Sequence, residues 1–375
     1  MLASSHSNTS SAFDVAGYSF HPLKVTAVER AAEDATCVTV EIPKALRETF
    51  AHHAGQYVTV RRTINDRDER RTYSIVTAPG GGTLKLGIRK QSGGLMSGDL
   101  AANLRPGDML EVGTPLGRFR TAVDPNRRYS YVAFAAGSGI TPILSLATDI
   151  LAREPHSRFT LIYGNRSISR TMFLEEALAL KNRYVDRLSL HFVMSREPQQ
   201  TELLNGRIDA EKVAALARQL VEIGSADEYL ICGPGDMVDE VRDAIKALNG
   251  NAPVRFERFT TGNSRPLEIL TKEPAAPAPQ EVLATIAVTI DGRRRSFPMS
   301  PNDPSVLAAA ERAGLELPFS CRSGICATCR ARITAGAAVM THNIALERWE
   351  TDAGFVLCCQ ARPTTATLEI SYDHK

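Results

Sequence analysis

Three cysteines crowd one short stretch of this 375-residue chain, FSCRSGICATCR at 319–330. Four residues separate Cys321 from Cys326, and two separate Cys326 from Cys329. Zinc sites usually pair their ligands as two short-spaced couples, CxxC with a second CxxC or HxxxH. Here any fourth sulfur has to come from the later VLCCQARP, as Cys358 or Cys359. C-x4-C-x2-C followed by a distant cysteine is the spacing that holds a 2Fe–2S cluster. Ser323, Gly324, Ala327 and Thr328 lie between the ligands and are small. Backbone N–H groups can therefore approach sulfide and thiolate, which matters because the cluster and its four thiolates are together anionic. A zinc knot or incidentally buried cysteines are the plain alternatives.

Other stretches carry residues suited to anions and rings. RRTYSIV (70–76) sets Arg71, Tyr73 and Ser74 as R-x-Y-S on a strand. Side chains alternate on a strand, so Arg71 and Tyr73 share a face, where a cation and an aromatic can grip a phosphate and stack on a ring. GGLMSGDL (93–100) offers Gly93, Gly94 and Ser97 at a helix entry. AAGSGITPILS (135–145) leaves a strand and enters a helix at Pro142, with Gly137 and Gly139 letting backbone approach a phosphate. ICGPGDMV (231–238) repeats that design with Cys232, Gly233 and Pro234. Each of these turns alone is as often a plain turn. Two in one parallel sheet point to a dinucleotide. LIYGNRSISR (161–170) ends its strand in Asn165-Arg166-Ser167, with Arg170 near, where an acid would favour ribose hydroxyls. An arginine there can pair with a 2′-phosphate, so NADPH is expected, with NADH as the other possibility. A solvated loop arginine is the plain alternative.

Three kinds of segment must position these residues. Residues 20–125 hold strand-like runs and few helical ones, punctuated by Gly, Pro and Asp, which suits an antiparallel β-barrel. Residues 126–262 alternate apolar strand-length runs with amphipathic helices. One helix sets Ile143, Leu144, Ala147, Ile150 and Leu151 on one face, and another sets Met237, Val238, Val241, Ile245 and Leu248. That alternation predicts a doubly wound parallel α/β sheet with its ligand at the strands' carboxyl ends. Residues 263–282 form a linker whose core, TKEPAAPAPQE (271–281), cannot bury a core and should be an extended tether reaching roughly 34 Å. Residues 283–375 open with two β-rich runs around Asp291-Gly292, a hairpin signal. A helix with Asp303 at its N-cap and Pro304 in its first turn follows. The strands FVLCCQA and ATLEISYD close the segment.

The bulk numbers are those of an ordinary globular protein, 43% hydrophobic and 23% charged. With 44 basic and 42 acidic residues the net charge is +2, which gives no case for nucleic-acid or membrane binding. Residues 1–19 are Ser-rich, read as a flexible N-terminus without the apolar region of a secretory signal. No apolar run approaches the ~20 residues of a membrane span. Four of seven cysteines in one ligand pattern suggest a reducing compartment, hence the cytoplasm. No motif speaks to oligomeric state.

Taken in order, R-x-Y-S, G-G-x-x-S, G-S-G-I-T-P, C-G-P and the cysteine pattern resemble the ferredoxin–NADP reductase superfamily over about residues 20–373. The C-terminal LPFSCRSGICATC…CQARP resembles plant-type ferredoxins, a β-grasp family. That resemblance makes Cys359, just before the Gln, the fourth ligand with Cys321, Cys326 and Cys329, and Cys358 a buried neighbour. It implies that Arg71 binds the FAD pyrophosphate, that Tyr73 stacks on the isoalloxazine and that Ser74 bonds near the hydride-accepting nitrogen. Thr72, Ile88, Arg89, Gly94, Met96 and Ser97 would complete the FAD site. Gly137, Thr141 and Pro142, with Asn165, Arg166, Ser167, Gly233 and Pro234, would hold the nicotinamide nucleotide. Cys232 would lie against the nicotinamide, and Phe259 would cover the flavin. Within the superfamily, FHPLKV, GQYVTV, YGNRS and GFVLCCQARP look most like reductases of phenylacetyl-CoA epoxidases, with steroid ring hydroxylase reductases as siblings. The implied activity is electron transfer from NADPH through FAD and a 2Fe–2S cluster to an oxygenase component. A cluster-based redox sensor would need a partner- or DNA-binding element, and no basic recognition helix is present. A self-contained reductase of a small molecule would need a further substrate domain.

Overall fold

The computed structural model describes residues 19–259 and 284–374. The tether at 271–281 and nearly all of the Ser-rich N-terminus lie outside them. Described residues 20–259 and 284–374 fall into two compact units.

The first unit opens with six strands, β1 (Phe20–Ala32), β2 (Ala35–Glu41), β3 (Tyr57–Ile64), β4 (Arg67–Ser74), β5 (Thr83–Arg89) and β6 (Met109–Gly113). They pair antiparallel in the order β4-β3-β6-β1-β2-β5. A bridge between Ile75 and Leu86 joins the two edges and closes the barrel. Alternation explains its core. Leu23, Val25, Val38, Val40, Val58, Val60, Leu84 and Leu86 point inward. The helix α1 (Leu95–Asn103) adds Met96 and Leu100 to that core.

Five parallel strands follow, β7 (Ser130–Ala136), β8 (Arg158–Asn165), β9 (Leu188–Met194), β10 (Glu228–Pro234) and β11 (Val254–Phe259), in the order β11-β10-β7-β8-β9. β7 and β8 are buried on both faces, as parallel strands covered by helices must be. The helix α2 (Ile140–Arg153) covers one face, helped by the barrel's Ala32, Ala35, Cys37, Val76 and Phe119, which share the same core. On the other face lie α4 (Ala210–Ala217), α5 (Val221–Ser225) and α6 (Gly235–Leu248), while α3 (Leu174–Arg183) connects β8 to β9. Leu248 departs from the expected apolar face of α6. It sits at the fraying last turn and is exposed. The strand order reverses between β7 and β10, and the crevice at their carboxyl ends is the switch point where such sheets bind ligands.

The second unit is a β-grasp. β12 (Ala284–Ile290) and β13 (Arg293–Met299) form a hairpin whose turn residues Asp291 and Gly292 both have positive φ, as a type I′ turn requires. The short helix α7 (Val306–Arg312) follows, then β14 (Arg330–Ala335), β15 (Ala338–Met340), α8 (Arg348–Asp352), β16 (Phe355–Leu357), β17 (Ala361–Pro363) and β18 (Thr367–Ser371). β18 returns parallel to β12 at the centre of the sheet β13-β12-β18-β14-β16. Two local expectations change. The N-cap of α7 is Ser305, whose hydroxyl accepts from the Ala308 N–H, and not Asp303. The proline after Asp303 keeps that residue out of helical geometry, and its carboxylate instead takes the Arg312 guanidinium at 2.7 and 2.9 Å. FVLCCQA is not one strand either. It breaks after Leu357, and Cys358, Cys359 and Gln360 form the turn into β17.

Candidate flavin, nucleotide and cluster sites

The cysteines come as two pairs. The thiols of Cys321 and Cys326 are within hydrogen-bonding reach of each other, and so are those of Cys329 and Cys359. No three His, Cys, Asp or Glu side chains among the described residues converge on one point as a single ion would need. Two pairs suit two irons with two protein ligands each. The small residues between the ligands do what their size allows. The Cys321 sulfur accepts from the backbone N–H groups of Ser323, Ile325 and Cys326, each at 3.4 Å. The Cys326 thiol and these amides push the Cys321 thiol down to about 5, which favours the thiolate a metal takes. Gly324 holds a positive φ, and a Cβ there would stand 2.9 Å from the His342 carbonyl. The donor set fits an anionic iron–sulfur cluster.

Cys358 and Cys359 differ although they adjoin. Cys359 has its thiol lowered, first by Cys329 and also by Gln360, whose Nε2 lies 3.6 Å from the sulfur and donates to the Arg322 carbonyl at 2.8 Å. Cys358 has no exposure at all, and burial pushes its thiol up to about 12. Its neighbour is the Tyr372 phenol.

On the barrel, Arg71 and Tyr73 lie on one face of β4 with Glu69, whose carboxylate holds the Arg71 guanidinium at 3.0 Å. The Arg71 side of that pair is about half exposed, so the pair is weak enough to yield to a phosphate. Thr72 pairs with Thr59 across the ladder. The α1 entry is built from Gly94, where a Cβ would stand 2.7 Å from the Ser97 hydroxyl. The Ser97 hydroxyl is buried and engaged, accepting from the Gln91 N–H at 3.0 Å. What this entry presents to an anion is therefore its first-turn backbone N–H groups. Met96 and Ile88 are buried in the barrel core, so their side chains are spent on packing.

The nucleotide crevice is tight. A single 3₁₀ turn, Gly137–Gly139, links β7 to α2. Gly137 has positive φ and open space beside it, as a backbone approach to a ligand needs. Gly139 has another reason to be glycine, since a Cβ there would be 2.1 Å from the Cys232 carbonyl oxygen. Thr141 is buried, and its hydroxyl donates to the Ser138 carbonyl at 2.9 Å. Pro142 lies in the first turn of α2. Gly233 accommodates Met237 and Ala136. Asn165 is buried at the end of β8 with both amide atoms lacking a hydrogen-bond partner. Arg166 is exposed beyond it, and Ser167 bonds to Ser169 at 3.2 Å.

Two residues that the motifs missed stand out. Arg196 follows β9 as Arg166 follows β8, and its N–H donates to the Arg166 carbonyl at 2.9 Å. Both guanidinium groups are exposed and carry no ion pair among the described residues. The second is Glu257, the register partner of Cys232 on β11. It lies within hydrogen-bonding reach of the Ser74 hydroxyl. Its Oε2 is out of solvent and unpartnered. Burial pushes its carboxyl up to about 8, with the Ser74 bond opposing. Cys232 is wholly buried beside it, its thiol raised by burial and by that carboxyl. Phe259, two residues on, packs against the core the two domains share. Arg170 and Arg89, by contrast, are both tied to the barrel's Asp34.

An FAD-binding oxidoreductase domain matches residues 22–121, an oxidoreductase NAD-binding domain 134–243, and a 2Fe-2S iron-sulfur cluster binding domain 288–364. The protein is thus an oxidoreductase that uses FAD, a nicotinamide nucleotide and a 2Fe–2S cluster. It belongs to the three-domain oxygenase reductases of the ferredoxin–NADP reductase superfamily. It is 36% identical over 357 residues to one of the subunits of 1,2-phenylacetyl-CoA epoxidase from Escherichia coli K12, covering 95% of this chain and 98% of that one. It is 30% identical over 363 residues to the ferredoxin reductase component of 3-ketosteroid-9-alpha-monooxygenase from Rhodococcus rhodochrous, covering 93% and 96%. In fold it resembles phthalate dioxygenase reductase, with a TM-score of 0.57 at 23% identity over 94% of this chain and 98% of that one. Among the described residues no helix is long and apolar enough to cross a membrane.

Proposed function

We propose that this chain is the reductase component that takes electrons from NADPH and passes them through FAD and the 2Fe–2S cluster to an oxygenase of the phenylacetyl-CoA epoxidase type. A steroid-type ring hydroxylase is the second reading, supported by the 30% relative. The observation that carries the mechanism is the meeting of Ser74 with Glu257, which joins the barrel strand to the nucleotide crevice at one point. Flavin, when bound, accepts a hydride and releases electrons singly, and the cluster relays them one at a time.

The chain's own residues do the positioning. Arg71 would exchange Glu69 for the FAD pyrophosphate, and the first-turn N–H groups of α1 would take its other oxygens. Tyr73 and Phe259 would pack against the flavin ring, and Ser74 would orient it. Gly137 and the α2 entry, with Thr141 and Pro142, receive the nucleotide. Cys232 is a buried neutral wall against the nicotinamide, and neutral Glu257 keeps the reacting region free of negative charge. Arg166 and Arg196 would meet the 2′-phosphate together. Cys321, Cys326, Cys329 and Cys359 would hold the cluster. We also infer the cytoplasm as its location, since four of the seven cysteines are spent as cluster ligands and the other three, Cys37, Cys232 and Cys358, are unpaired and buried. Recovery of the mature chain outside that compartment would refute this.

The test is NADPH oxidation with ferricyanide in the FAD-loaded protein. Arg166→Ala should raise the NADPH KM by about 10- to 150-fold, the value of a charge-assisted bond, and leave NADH nearly untouched. Equal effects on both nucleotides would show that Arg166 does not read the 2′-phosphate. Co-purification with an oxygenase component, and which one, tests the partner.

A further inference from the structure

The segment that carries Arg166 is held from its far side by the barrel. The turn between β1 and β2 reaches out with Glu33 and Asp34. The Glu33 N–H donates to the Ser169 carbonyl at 2.8 Å, and the Ser169 hydroxyl donates to the Glu33 carboxylate at 2.8 Å. Asp34 Oδ2 takes the guanidinium of Arg170 and, at 3.3 Å, that of Arg89. Arg89 also donates to the Arg170 carbonyl at 2.8 Å. The Phe173 N–H donates back to the Ala31 carbonyl at 3.2 Å. Within the segment, the Thr171 hydroxyl donates to the Ser167 carbonyl at 3.0 Å. Residues 166–173 therefore lie between the end of β8 and the barrel turn, fixed at both ends.

This cluster is poorly suited to stabilising the fold. One carboxylate serves two guanidinium groups. Asp34 Oδ1, Arg89 Nε and Arg170 Nε are out of solvent with no hydrogen-bond partner. Ion pairs sealed with unsatisfied atoms contribute little net stability, and where they are kept their value is geometric. The geometry they fix here is the span between the flavin strand and the segment that reads the far end of the nucleotide.

We propose that Asp34, on the flavin barrel, is a positioning residue for nucleotide choice: through Arg170 and Arg89 it sets where Arg166 meets the 2′-phosphate. The proposal rests on the reading of Arg166 as a 2′-phosphate contact. It makes preference for NADPH a joint property of the two domains. A positional role implies coupling, and coupled neighbours fail to add.

The experiment is calorimetric titration of the FAD-loaded full chain with 2′,5′-ADP and with 5′-ADP, the adenylate halves of the two nucleotides. The proteins are wild type, Asp34→Ala, Arg166→Ala and the double variant. Asp34→Asn, which keeps shape and loses charge, serves in case Asp34→Ala folds badly, and Asp34→Glu tests rescue. Asp34→Ala should weaken 2′,5′-ADP by about 3- to 30-fold and 5′-ADP by less than about twofold. In the Arg166→Ala background the same change should add less than about twofold for either ligand. Asp34→Glu should recover part of the loss. A wild-type preference for 2′,5′-ADP that survives both Asp34→Ala and Asp34→Asn would overturn the proposal alone. Equal weakening of both ligands, or effects of Asp34 and Arg166 that simply multiply, would reduce Asp34 to general domain docking and also overturn it. No preference in the wild type would refute the NADPH assignment and the proposal with it.

Discussion

Replacing Glu257 by Gln should remove a pH dependence that the wild-type protein shows. Burial moves this carboxyl from its ordinary 4.5 to about 8. At pH 7 about one molecule in ten carries the charge, and at pH 8 half do. Each unit is worth about 1.36 kcal/mol, so full ionisation costs at most roughly 5 kcal/mol. The residue is partly exposed, and solvent screening brings that down to a few kcal/mol. The folded protein binds this proton more tightly than the unfolded chain does. Its stabilising contribution is thus complete below about 4.5 and is lost as pH rises toward 8. A carboxylate beside Ser74 also places negative charge where hydride brings electron density. Flavin reduction by NADPH, followed anaerobically as loss of flavin absorbance, should then fall up to tenfold per pH unit above about 8. Glu257→Gln should flatten that limb, and its melting temperature should gain on wild type between pH 6 and 9. Identical pH profiles for the two proteins would refute the argument. So would a Gln variant slowed equally at every pH, which would mean that the carboxyl acts by shape alone.

Two further changes test the other sites. Cys359→Ser should bleach the visible spectrum of the iron centre and Cys358→Ser should keep it, because Cys359 faces Cys329 whereas Cys358 is sealed beside Tyr372; the reverse result would reassign the fourth ligand. Gly87→Ala would set a Cβ 2.6 Å from both the Thr141 methyl and the Phe173 ring, where the barrel meets the nucleotide domain. Overpacking of that kind costs about 1–3 kcal/mol, so the melting temperature should drop and the NADPH KM should rise, and an unchanged melting curve would show that the interface yields freely.

What could be read in advance was whatever chemistry is local in sequence. Cluster ligands cluster because one loop wraps the metal, and R-x-Y-S works because neighbours on one strand share a face. Glu257 was invisible for the opposite reason. Its partners are Ser74 on a distant strand and Cys232 across a parallel ladder, and FERF alone reads as an ordinary charged strand. A register for β10 against β11 would have found it, since Cys232 and Glu257 are paired there. Arg196 needed only the thought that β9 ends beside β8. Arg170 lies near Arg166 in sequence, but the carboxylate that engages it, Asp34, belongs to another domain. The sequence offers Gly139 as room for a ligand, whereas in the fold it makes room for the Cys232 carbonyl.

The two kinds of electron carrier explain why the chain uses two kinds of construction. Hydride transfer needs reacting atoms at about 3–3.5 Å and aligned, so an error of an ångström in domain placement is felt directly in rate. The barrel and the parallel sheet are accordingly built as one body. Ala32, Cys37, Val76 and Phe119 share a core with Ile143, Tyr163 and Phe173, and Asp34 ties the nucleotide segment to the flavin side. Single electrons impose no such contact on the cluster. Its domain has a core of its own, running from Ala284 to Ile370. Within that core the demand is local instead. The amides around Cys321 and the turn that separates Cys359 from Cys358 must hold an anionic centre, and the first of these is written into the cysteine loop itself.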